Sequence, residues 1–373
     1  MHVLIPVLHR PSKPTGVCRH AINLARCLAL RSKVSRVTLV IGEWQEVYFE
    51  TAFKFDSPKI KIASIKLKNT SFSRNRWFIF GLPKLAKKLQ SDLIHLSFPF
   101  PFIRQWFDVP IVASIHDLYP YECPENFGYP RVWFNQLFLQ QCVRNSDGLI
   151  CVSQCTLKAL NNYFPQIEKR KKVTVIYNTV DLDNSEPQVP HLLINKTLSY
   201  FLLTVAQHRK NKNLDLLIQA YSILLREKKL LPTTKLLLIG SSGPETNNLI
   251  QLVKTLELDD RVLFLSNLQD EELHWLYKNA SLFVIPSSTE GFCLPLAEAL
   301  SLSCPAVCSD IPIFREVGST QCRYFKLEGD ICHNLAVAIS SELSSIKYQQ
   351  RPVDDRFLLK EVSQKLLDYY LLF

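Results

Sequence analysis

Two glutamates flank a short segment whose residue types suit the binding of an anion. An apolar stretch at 282–285 runs into a polar loop that contains Glu290, and a helical pattern follows from Pro295 with Glu298 in its first turn. A helix start offers free backbone N–H groups and partial positive charge, which suit a diphosphate. The carboxylates could then accept hydrogen bonds from ligand hydroxyls. Each also has an ordinary explanation, Glu290 as a solvated loop charge and Glu298 as a residue favoured near a helix N-terminus.

The elements that must position these residues alternate between strands and helices. Short apolar segments are separated by helical patterns, such as those at 131–144 and 154–163, on both sides of a turn-rich stretch at 181–190. Strands that read as continuous apolar runs between helices indicate a parallel sheet covered on both faces. The sequence therefore predicts an α/β protein with two Rossmann-like, doubly wound parallel-sheet domains.

The predicted domain limits follow from this alternation. We expect an N-terminal domain at 1–182, a linker at 183–198, a C-terminal domain at 199–352, and a final helix at 353–373 that could cross back to the N-terminal domain. Because open α/β sheets bind ligands at the carboxyl ends of their strands, we expect the ligand in a cleft between the two domains.

The composition and cysteine usage indicate an intracellular globular protein. Of the 373 residues, 47% are apolar and 21% are charged, and the apolar runs are strand-sized. A membrane-spanning helix needs about 18 or more apolar residues, and the N-terminus fits a strand better than a signal peptide. The eleven cysteines are scattered without Cys-x-x-Cys spacing, so we expect buried, reduced thiols rather than zinc ligands or disulfides. These features predict a cytoplasmic location.

The positive charge is concentrated in the first half of the chain. Residues 1–185 carry 25 Lys and Arg against 13 Asp and Glu, a net charge of +12, whereas the remainder has a net charge of −2. We expect the first half to contact something anionic, either the acceptor or the inner face of a membrane; the alternative is a solvated basic face. Nucleic acid is not expected, because the basic residues are dispersed and no nucleic-acid-binding motif accompanies them.

The segment from Glu290 to Glu298 resembles the signature of retaining family 4 glycosyltransferases, which have the GT-B fold of two Rossmann-like domains. The resemblance covers most of residues 110–340. It includes the Val-Ile-Tyr-Asn-Thr-Val-Asp segment at 175–181, the basic loop with Lys-Asn at 204–214, and strand-like segments at 236–240 and 261–265. Each piece is weak alone, but the combination and its order are specific.

The resemblance assigns roles in the C-terminal domain. It implies that Arg209 and Lys212 neutralise the leaving diphosphate, that Glu298 binds ribose, and that Glu290 contacts the transferred sugar. It also implies a site without metal or cofactor, in which the nucleotide sugar is a substrate. Cys293 stands where relatives commonly have glycine, and a backbone role there is compatible with cysteine if φ is negative. The remaining residues assigned to the donor are Gly291, Phe292, Cys293, Leu294 and Gly240.

Three residues of the N-terminal domain are further candidates. Gly16 lies in the first strand–helix loop, where the family brings backbone close to phosphate or acceptor, although many relatives have more glycines there. His116 ends a predicted strand and resembles a histidine that lies beside the donor sugar in the family. A lone histidine is often structural, but this position favours function. Ser153, which ends another strand, is a weaker candidate.

The combined hypothesis is a hexosyltransferase of cell-surface glycan synthesis. The context of His116 resembles mannosyltransferases, which implies GDP-mannose as donor and a lipid-linked or polysaccharide acceptor. The alternatives are a UDP-sugar donor, an epimerase on the same fold, and a non-catalytic relative that binds nucleotide or anionic lipid. An Asp-x-Asp triplet at 181–183 falls in the predicted linker, so a metal site there is not expected. The chain has no Gly-x-Gly-x-x-Gly and no Walker-type loop, which argues against dehydrogenases and P-loop enzymes.

Overall fold

A computed structural model describes residues 1–9, 16–53, 55, 57–180, 186–194, 199–345 and 354–373. These residues form two compact units. The first comprises Met1–Thr179 and Asp355–Phe373, and the second comprises Val180–Asp354. No helix in the described part of the chain is long and apolar enough to span a bilayer.

The first unit is built on a seven-stranded parallel sheet in the order β3-β2-β1-β4-β5-β6-β7. Its five inner strands are mostly apolar and buried, because helices cover both faces of the sheet, whereas the two edge strands are partly exposed. The strands are β1 (His2–Pro6), β2 (Arg36–Gly42), β3 (Ile60–Ile65), β4 (Leu93–Leu96), β5 (Ile111–Ile115), β6 (Gly148–Cys151) and β7 (Lys172–Val175).

Helices connect these strands. They are α1 (Gly16–Ala29), α2 (Glu46–Ala52), α3 (Ser71–Arg76), α4 (Leu82–Leu89), α5 (Tyr119–Glu122), α6 (Arg131–Asn145), α7 (Gln154–Tyr163) and α8 (Ile167–Arg170). A π-helical turn, Trp77–Gly81, joins α3 to α4. The order of the strands reverses between β1 and β4, so the chain leaves these two neighbours toward opposite sides and opens a crevice at their carboxyl ends.

The second unit repeats this arrangement with a six-stranded parallel sheet in the order β10-β9-β8-β11-β12-β13. The strands are β8 (Phe201–Val205), β9 (Lys235–Ile239), β10 (Val262–Leu265), β11 (Leu282–Ile285), β12 (Ala306–Ser309) and β13 (Cys322–Phe325). The helices are α9 (Leu214–Arg226), α10 (Thr246–Thr255), α11 (Asp270–Asn279), α12 (Leu294–Ser301), α13 (Pro312–Gly318) and α14 (Ile331–Ser345). The strand order reverses between β8 and β11.

The last helix, α15 (Leu359–Tyr370), packs in the first unit. Its apolar face joins the core formed by α1, β1 and β2 through Val362, Leu366 and Tyr370. Arg31, which follows α1, donates a 2.8 Å hydrogen bond from Nε to Ser363 Oγ of α15. The end of the chain is therefore part of the unit that contains its beginning.

The predicted fold class is confirmed, since two parallel Rossmann-like sheets are present. All eleven cysteines are free thiols, as expected, but Cys155, Cys322 and Cys332 are only half-buried. The patterns gave no prediction of β3 or of the helices between 46 and 89. The strand β3 forms the edge of its sheet and exposes Lys61, Ile62 and Ser64, so it lacks the continuous apolar run of a buried strand.

Candidate functional site

In the second unit, the loops after β8 and β11 meet at the reversal of the strand order through an ion pair. Lys212 Nζ lies 2.5 Å from Glu290 Oε1, and the two side chains are 14% and 9% exposed. The Ser287 hydroxyl donates a 2.8 Å hydrogen bond to the same carboxylate oxygen. Because Lys212 follows β8 and Glu290 follows β11, the strand order brings together two residues 78 positions apart.

Asparagine side chains hold the two loops together around this pair. Asn211 Nδ2 donates to the Thr289 carbonyl at 3.2 Å, and Asn213 Nδ2 donates to the Pro286 carbonyl at 2.9 Å. The Ser288 amide donates to the Asn211 carbonyl at 2.9 Å. Asn213 has a φ of 49°, in the left-handed region that asparagine tolerates better than most residues. The basic loop is therefore fixed by hydrogen bonds on both sides of Lys212.

The start of α12 corrects two predictions. Cys293 has φ 68° and ψ 70°, so the negative φ that was the condition for cysteine in a backbone role is not present. The helix begins at Leu294 rather than at Pro295, and Glu298 is its fifth residue, in the second turn rather than the first. The left-handed residue at 293 turns the chain sharply into the helix, so the helix begins one residue earlier. A side chain at this φ is strained, which explains why glycine suits the position.

Glu298 is buried beneath this loop. Its Oε2 accepts a 3.0 Å hydrogen bond from the hydroxyl of Tyr277, a fully buried residue of α11. The carboxylate is thus held in place by a side chain of the neighbouring helix α11.

Arg209 and Gly240 follow the carboxyl ends of β8 and β9. The Arg209 guanidinium has no ion-pair partner among the residues that the structure describes, so its charge is not neutralised there. A Cβ on Gly240 would lie 2.0 Å from the Ala206 carbonyl oxygen. Gly240 is therefore needed for the close approach of two loops, and this packing positions the segment that leads to Arg209. Gly291 and Phe292 follow Glu290 in the same loop, with Phe292 buried.

In the first unit, His116 follows β5 near the reversal of the strand order. Its Nε2 lies 2.8 Å from the carbonyl oxygen of Ser97, which follows β4. A carbonyl can only accept, so Nε2 carries the proton and Nδ1 is an acceptor. Burial lowers the pKa of His116, although the Ser97 carbonyl acts in the opposite direction. The imidazole is therefore neutral near pH 7, with one nitrogen able to accept a hydrogen bond.

A buried chain of hydrogen bonds lies behind His116. The rings of His20 and His116 meet edge to face, with centroids 4.5 Å apart. His20 Nδ1 lies 2.6 Å from Asn178 Oδ1, and its Nε2 lies 2.8 Å from Ser114 Oγ. Ser114 Oγ is also 2.8 Å from His95 Nε2, and the other nitrogen of His95 bonds the hydroxyl of Tyr370.

The partners of this chain fix the protons on every member. Asn178 Oδ1 only accepts, so His20 Nδ1 donates and its Nε2 accepts from Ser114. Ser114 then accepts from His95 Nε2, and His95 Nδ1 accepts from Tyr370. Burial, together with the nearby His116, holds the pKa of His20 well below its ordinary value and lowers that of His95 to about 3. A neutral chain therefore runs from α15 to Asn178.

The other two candidates of the first unit differ in their surroundings. Gly16 begins α1, and a Cβ built on it would meet no described atom within 4 Å, so internal packing does not require glycine there. Ser153 is fully buried and its Oγ accepts a 2.9 Å hydrogen bond from the Thr156 amide. Ser153 thus caps α7, which is a structural role.

The described residues contain no cluster of three or more His, Cys, Asp or Glu side chains that could hold a metal ion. The Asp-x-Asp triplet at 181–183 lies outside the described residues.

Comparison with known proteins gives matches along most of the chain. Residues 14–184 match the profile of Glycosyltransferase Family 4, and residues 191–321 match that of Glycosyl transferases group 1. The chain belongs to glycosyltransferase family 4. This is the family that the segment from Glu290 to Glu298 predicts.

Two relatives of this glycosyltransferase are named as mannosyltransferases of the O-antigen chain. It is 28% identical over 313 residues to the O-antigen chain mannosyltransferase RfbU of Salmonella typhimurium, covering 81% of this chain and 80% of that protein. It is 29% identical over 320 residues to the O-antigen chain mannosyltransferase B of Escherichia coli, covering 81% of each.

Solved structures show the same fold. HepE of Anabaena in complex with UDP and glucose superposes with a TM-score of 0.72 at 18% identity, over the whole of both chains. WaaG, a glycosyltransferase involved in lipopolysaccharide biosynthesis, superposes with a TM-score of 0.66 at 16% identity, covering 99% of this chain and 95% of WaaG. At these identities the likeness establishes the fold of the glycosyltransferase.

Sequence reasoning missed several residues of the site. Ser287, Asn211 and Asn213 contact the Lys212–Glu290 pair or its loops, and all lie within four residues of a predicted site residue. In the first unit, His20 and His95 gave no signal, because a histidine within an apolar helix or strand resembles any core residue. Only the packing of α1 against β4 and β5 shows that they lie beside His116.

Proposed function

We propose that this glycosyltransferase transfers a hexose, mannose from GDP-mannose, to a lipid-linked or polysaccharide acceptor in cell-surface glycan synthesis. The observation that carries the proposal is the Lys212–Glu290 pair at the strand-order reversal of the second unit, with Arg209 in the same loop as Lys212. In the transfer, the bond between the sugar C1 and the diphosphate oxygen breaks, the acceptor hydroxyl oxygen bonds C1, and the hydroxyl proton passes to the leaving diphosphate. Negative charge develops on the leaving diphosphate, and the two cations stabilise it without a metal.

The remaining roles are those that the resemblance to the family implies. Glu298, held by Tyr277, accepts hydrogen bonds from the ribose hydroxyls. Glu290 contacts the transferred sugar and stabilises positive charge at C1. His116 offers a neutral Nδ1 acceptor to a sugar hydroxyl. The loop from Gly291 to Leu294 binds the phosphates through its backbone, and the proposed reaction retains the configuration at C1.

The names of the relatives support mannose, whereas one structural neighbour was solved with UDP and glucose. The nucleotide base is therefore tested directly. Calorimetric titration with GDP and with UDP is expected to give tighter binding of GDP, and Glu298→Ala is expected to weaken it. A preference for UDP would replace GDP-mannose by a UDP-sugar donor.

Transfer is tested with GDP-mannose and lipid-linked acceptors, with analysis of the product by NMR. The expected product carries an α-linked mannose, the configuration of the donor. His116→Ala is expected to lower the rate by about 100-fold, as removal of a hydrogen-bonding group from a reaction centre does. Binding of nucleotide without transfer to any acceptor would favour the non-catalytic alternative, and conversion of the donor to another sugar nucleotide would favour the epimerase.

The proposed partners also include an anionic membrane, which the protein would contact peripherally. The net charge of +12 on the first half of the chain supports this contact, since lipid-linked acceptors are held at a membrane surface.

A further inference from the structure

We propose that the solvent face of residues 71–89 is the surface that docks on an anionic membrane, with aromatic side chains entering the headgroup layer. This assignment rests on the peripheral contact proposed above and gives it one location. It follows from three features of the segment: its two faces, its charge, and a tryptophan that extends it.

The segment is a nearly continuous helix formed by α3, the π-helical turn and α4. Its inner face carries Arg74, Phe78, Leu82 and Ala86, which are buried and recur every four residues. Phe78 stacks on Phe100 with ring centroids 3.8 Å apart. In an ordinary α-helix of 3.6 residues per turn, residues spaced four apart gradually move around the helix axis. The π-helical turn contains more residues per turn and so offsets part of this movement. The inner face is thus fixed in the core.

The outer face carries aromatic and basic residues with the same period. Phe72, Arg76, Phe80, Lys84 and Lys88 are all exposed and lie between the buried positions. Phe72 is 78% exposed and Phe80 is 51% exposed. The solvent face of a helix in a water-soluble protein is normally polar. Two exposed phenylalanines that alternate with cations therefore indicate a partner that can bury apolar rings and also carries negative charge.

A tryptophan from a neighbouring loop extends this face. The ring of Trp106 lies 5.2 Å from that of Phe80, centroid to centroid, and Trp106 is 44% exposed. Tryptophan and phenylalanine are suited to the boundary between headgroups and acyl chains, where an apolar ring can be buried next to charged groups.

The charge around this face has one sign. Residues 59–91 contain nine Lys and Arg and no Asp or Glu. On the outer face, Lys87 is exposed beside Lys84 and Lys88, and the adjacent strand β3 and its following loop expose Lys61, Lys66 and Lys68. None of these lysines forms an ion pair with a described carboxylate. Such a surface complements lipid phosphates, and exposed aromatic rings between the lysines favour a membrane over a purely polar polyanion.

The first test is flotation of the full chain with vesicles that contain neither acceptor nor nucleotide sugar. Binding is expected to vesicles of phosphatidylcholine with phosphatidylglycerol, to be weak with phosphatidylcholine alone, and to fall as salt is raised. The triple variant Lys84→Gln/Lys87→Gln/Lys88→Gln is expected to bind anionic vesicles about a hundredfold more weakly. The matched control, Lys229→Gln/Lys254→Gln/Lys278→Gln, removes the same charge from exposed lysines of the second unit and is expected to bind like the wild type.

The second test locates the contact by fluorescence. A blue shift of tryptophan emission is expected on addition of anionic vesicles. Trp106→Phe should remove most of the shift, whereas Trp275→Phe, in the second unit, should keep it. Phe80→Ser should weaken vesicle binding without lowering the melting temperature, because Phe80 lies on the exposed face.

The proposal is overturned if the basic triple variant binds as tightly as its control, if both vesicle types bind equally, or if the chain binds a nucleic-acid duplex but no vesicle. Because the vesicles lack donor and acceptor, these outcomes do not depend on the sugar, the nucleotide or the acceptor. Failure of the docking surface is thereby distinguished from failure of the proposed transfer reaction.

Discussion

Glu290 illustrates how much of the site depends on individual contacts. Its Oε1 accepts hydrogen bonds from both Lys212 and Ser287, so the carboxylate has a fixed position and a positive charge next to it. A charge fixed before the ligand arrives need not reorganise during the reaction, which is the source of electrostatic catalysis. Lys212 therefore has two roles: it orients Glu290, and it supplies positive charge in the loop that also contains Arg209.

The first prediction concerns this carboxylate. Glu290→Gln keeps the size of the side chain and removes its charge, so we expect kcat to fall by about 100-fold or more. The measurement is the rate of sugar transfer at saturating donor. Glu328→Gln, an exposed glutamate of the same unit, serves as the control. Equal rates for Glu290→Gln and the control would remove Glu290 from the reaction.

The second prediction concerns the left-handed backbone at Cys293. Cys293→Gly and Cys293→Ala both remove the thiol, but only alanine keeps a Cβ at a φ of 68°. We expect the glycine variant to be more stable than the alanine variant by about 1 kcal/mol, because L-residues are strained in this region. The measurement is the difference in free energy of unfolding by denaturant. Greater stability of the alanine variant would contradict the backbone geometry.

At the scale of elements, the carboxyl ends of parallel strands gather the candidate residues of each unit. The turns after β8 and β11 bring Lys212 to Glu290, and the end of β5 brings His116 against the residue that follows β4. The helix α15 has a supporting role. It is the last element of the chain, yet its Tyr370 hydroxyl reaches His95 within the sheet and begins the hydrogen-bond chain to His20.

The third prediction tests this helix. Tyr370→Phe removes the hydroxyl and leaves His95 Nδ1 buried without a donor, so we expect a loss of about 1–3 kcal/mol in the free energy of unfolding. Tyr129→Phe, which alters an exposed tyrosine of the same unit, is expected to change stability by less than about 0.5 kcal/mol. If the two variants lost the same stability, the hydrogen bond from α15 to His95 would have no energetic role.

For the whole molecule, the two units have separate cores, and the neighbouring histidines His20, His95 and His116 all belong to the first. Burial lowers the pKa of His20, His95 and His116 in the folded state. The unfolded chain therefore binds more protons below its ordinary histidine pKa. The stabilisation from neutral histidines is fully present above about pH 6.5 and is lost as the pH falls.

The fourth prediction follows from this loss of stability at low pH. With its folded pKa at about 3, His95 alone should lower the free energy of unfolding by about 2 kcal/mol between pH 7.5 and pH 5, and the other two histidines act in the same direction. The measurement is denaturant unfolding of the full chain across this range. His95→Gln should show a shallower pH dependence, whereas His333→Gln, an exposed histidine of the second unit, should keep the wild-type slope. Parallel curves for all three proteins would show that His95 is not buried in its neutral form.

Much of the fold and part of the site could be predicted, for a definite reason. Strands covered on both faces must be apolar throughout, so continuous runs such as those of β1 and β11 show directly in the sequence. The spacing of Glu290 and Glu298 and the Lys-Asn pair at 212–213 are local features and identified the family correctly. The edge strand β3 and the helix 71–89 were not predicted, because the strand exposes half of its residues and the helix exposes aromatic rings.

The sequence by itself determined the parallel α/β architecture, the family and the excess of positive charge in the first half. Only the tertiary structure decided which distant residues meet. The order of the strands brings Lys212 to Glu290, and the packing of α1 and α15 places His20 and Tyr370 behind His116. It also decided that Cys293 has a positive φ and that Phe72, Phe80 and Lys84 share one exposed face. These properties depend on contacts and backbone angles between residues far apart or closely packed, and a one-dimensional pattern does not contain them.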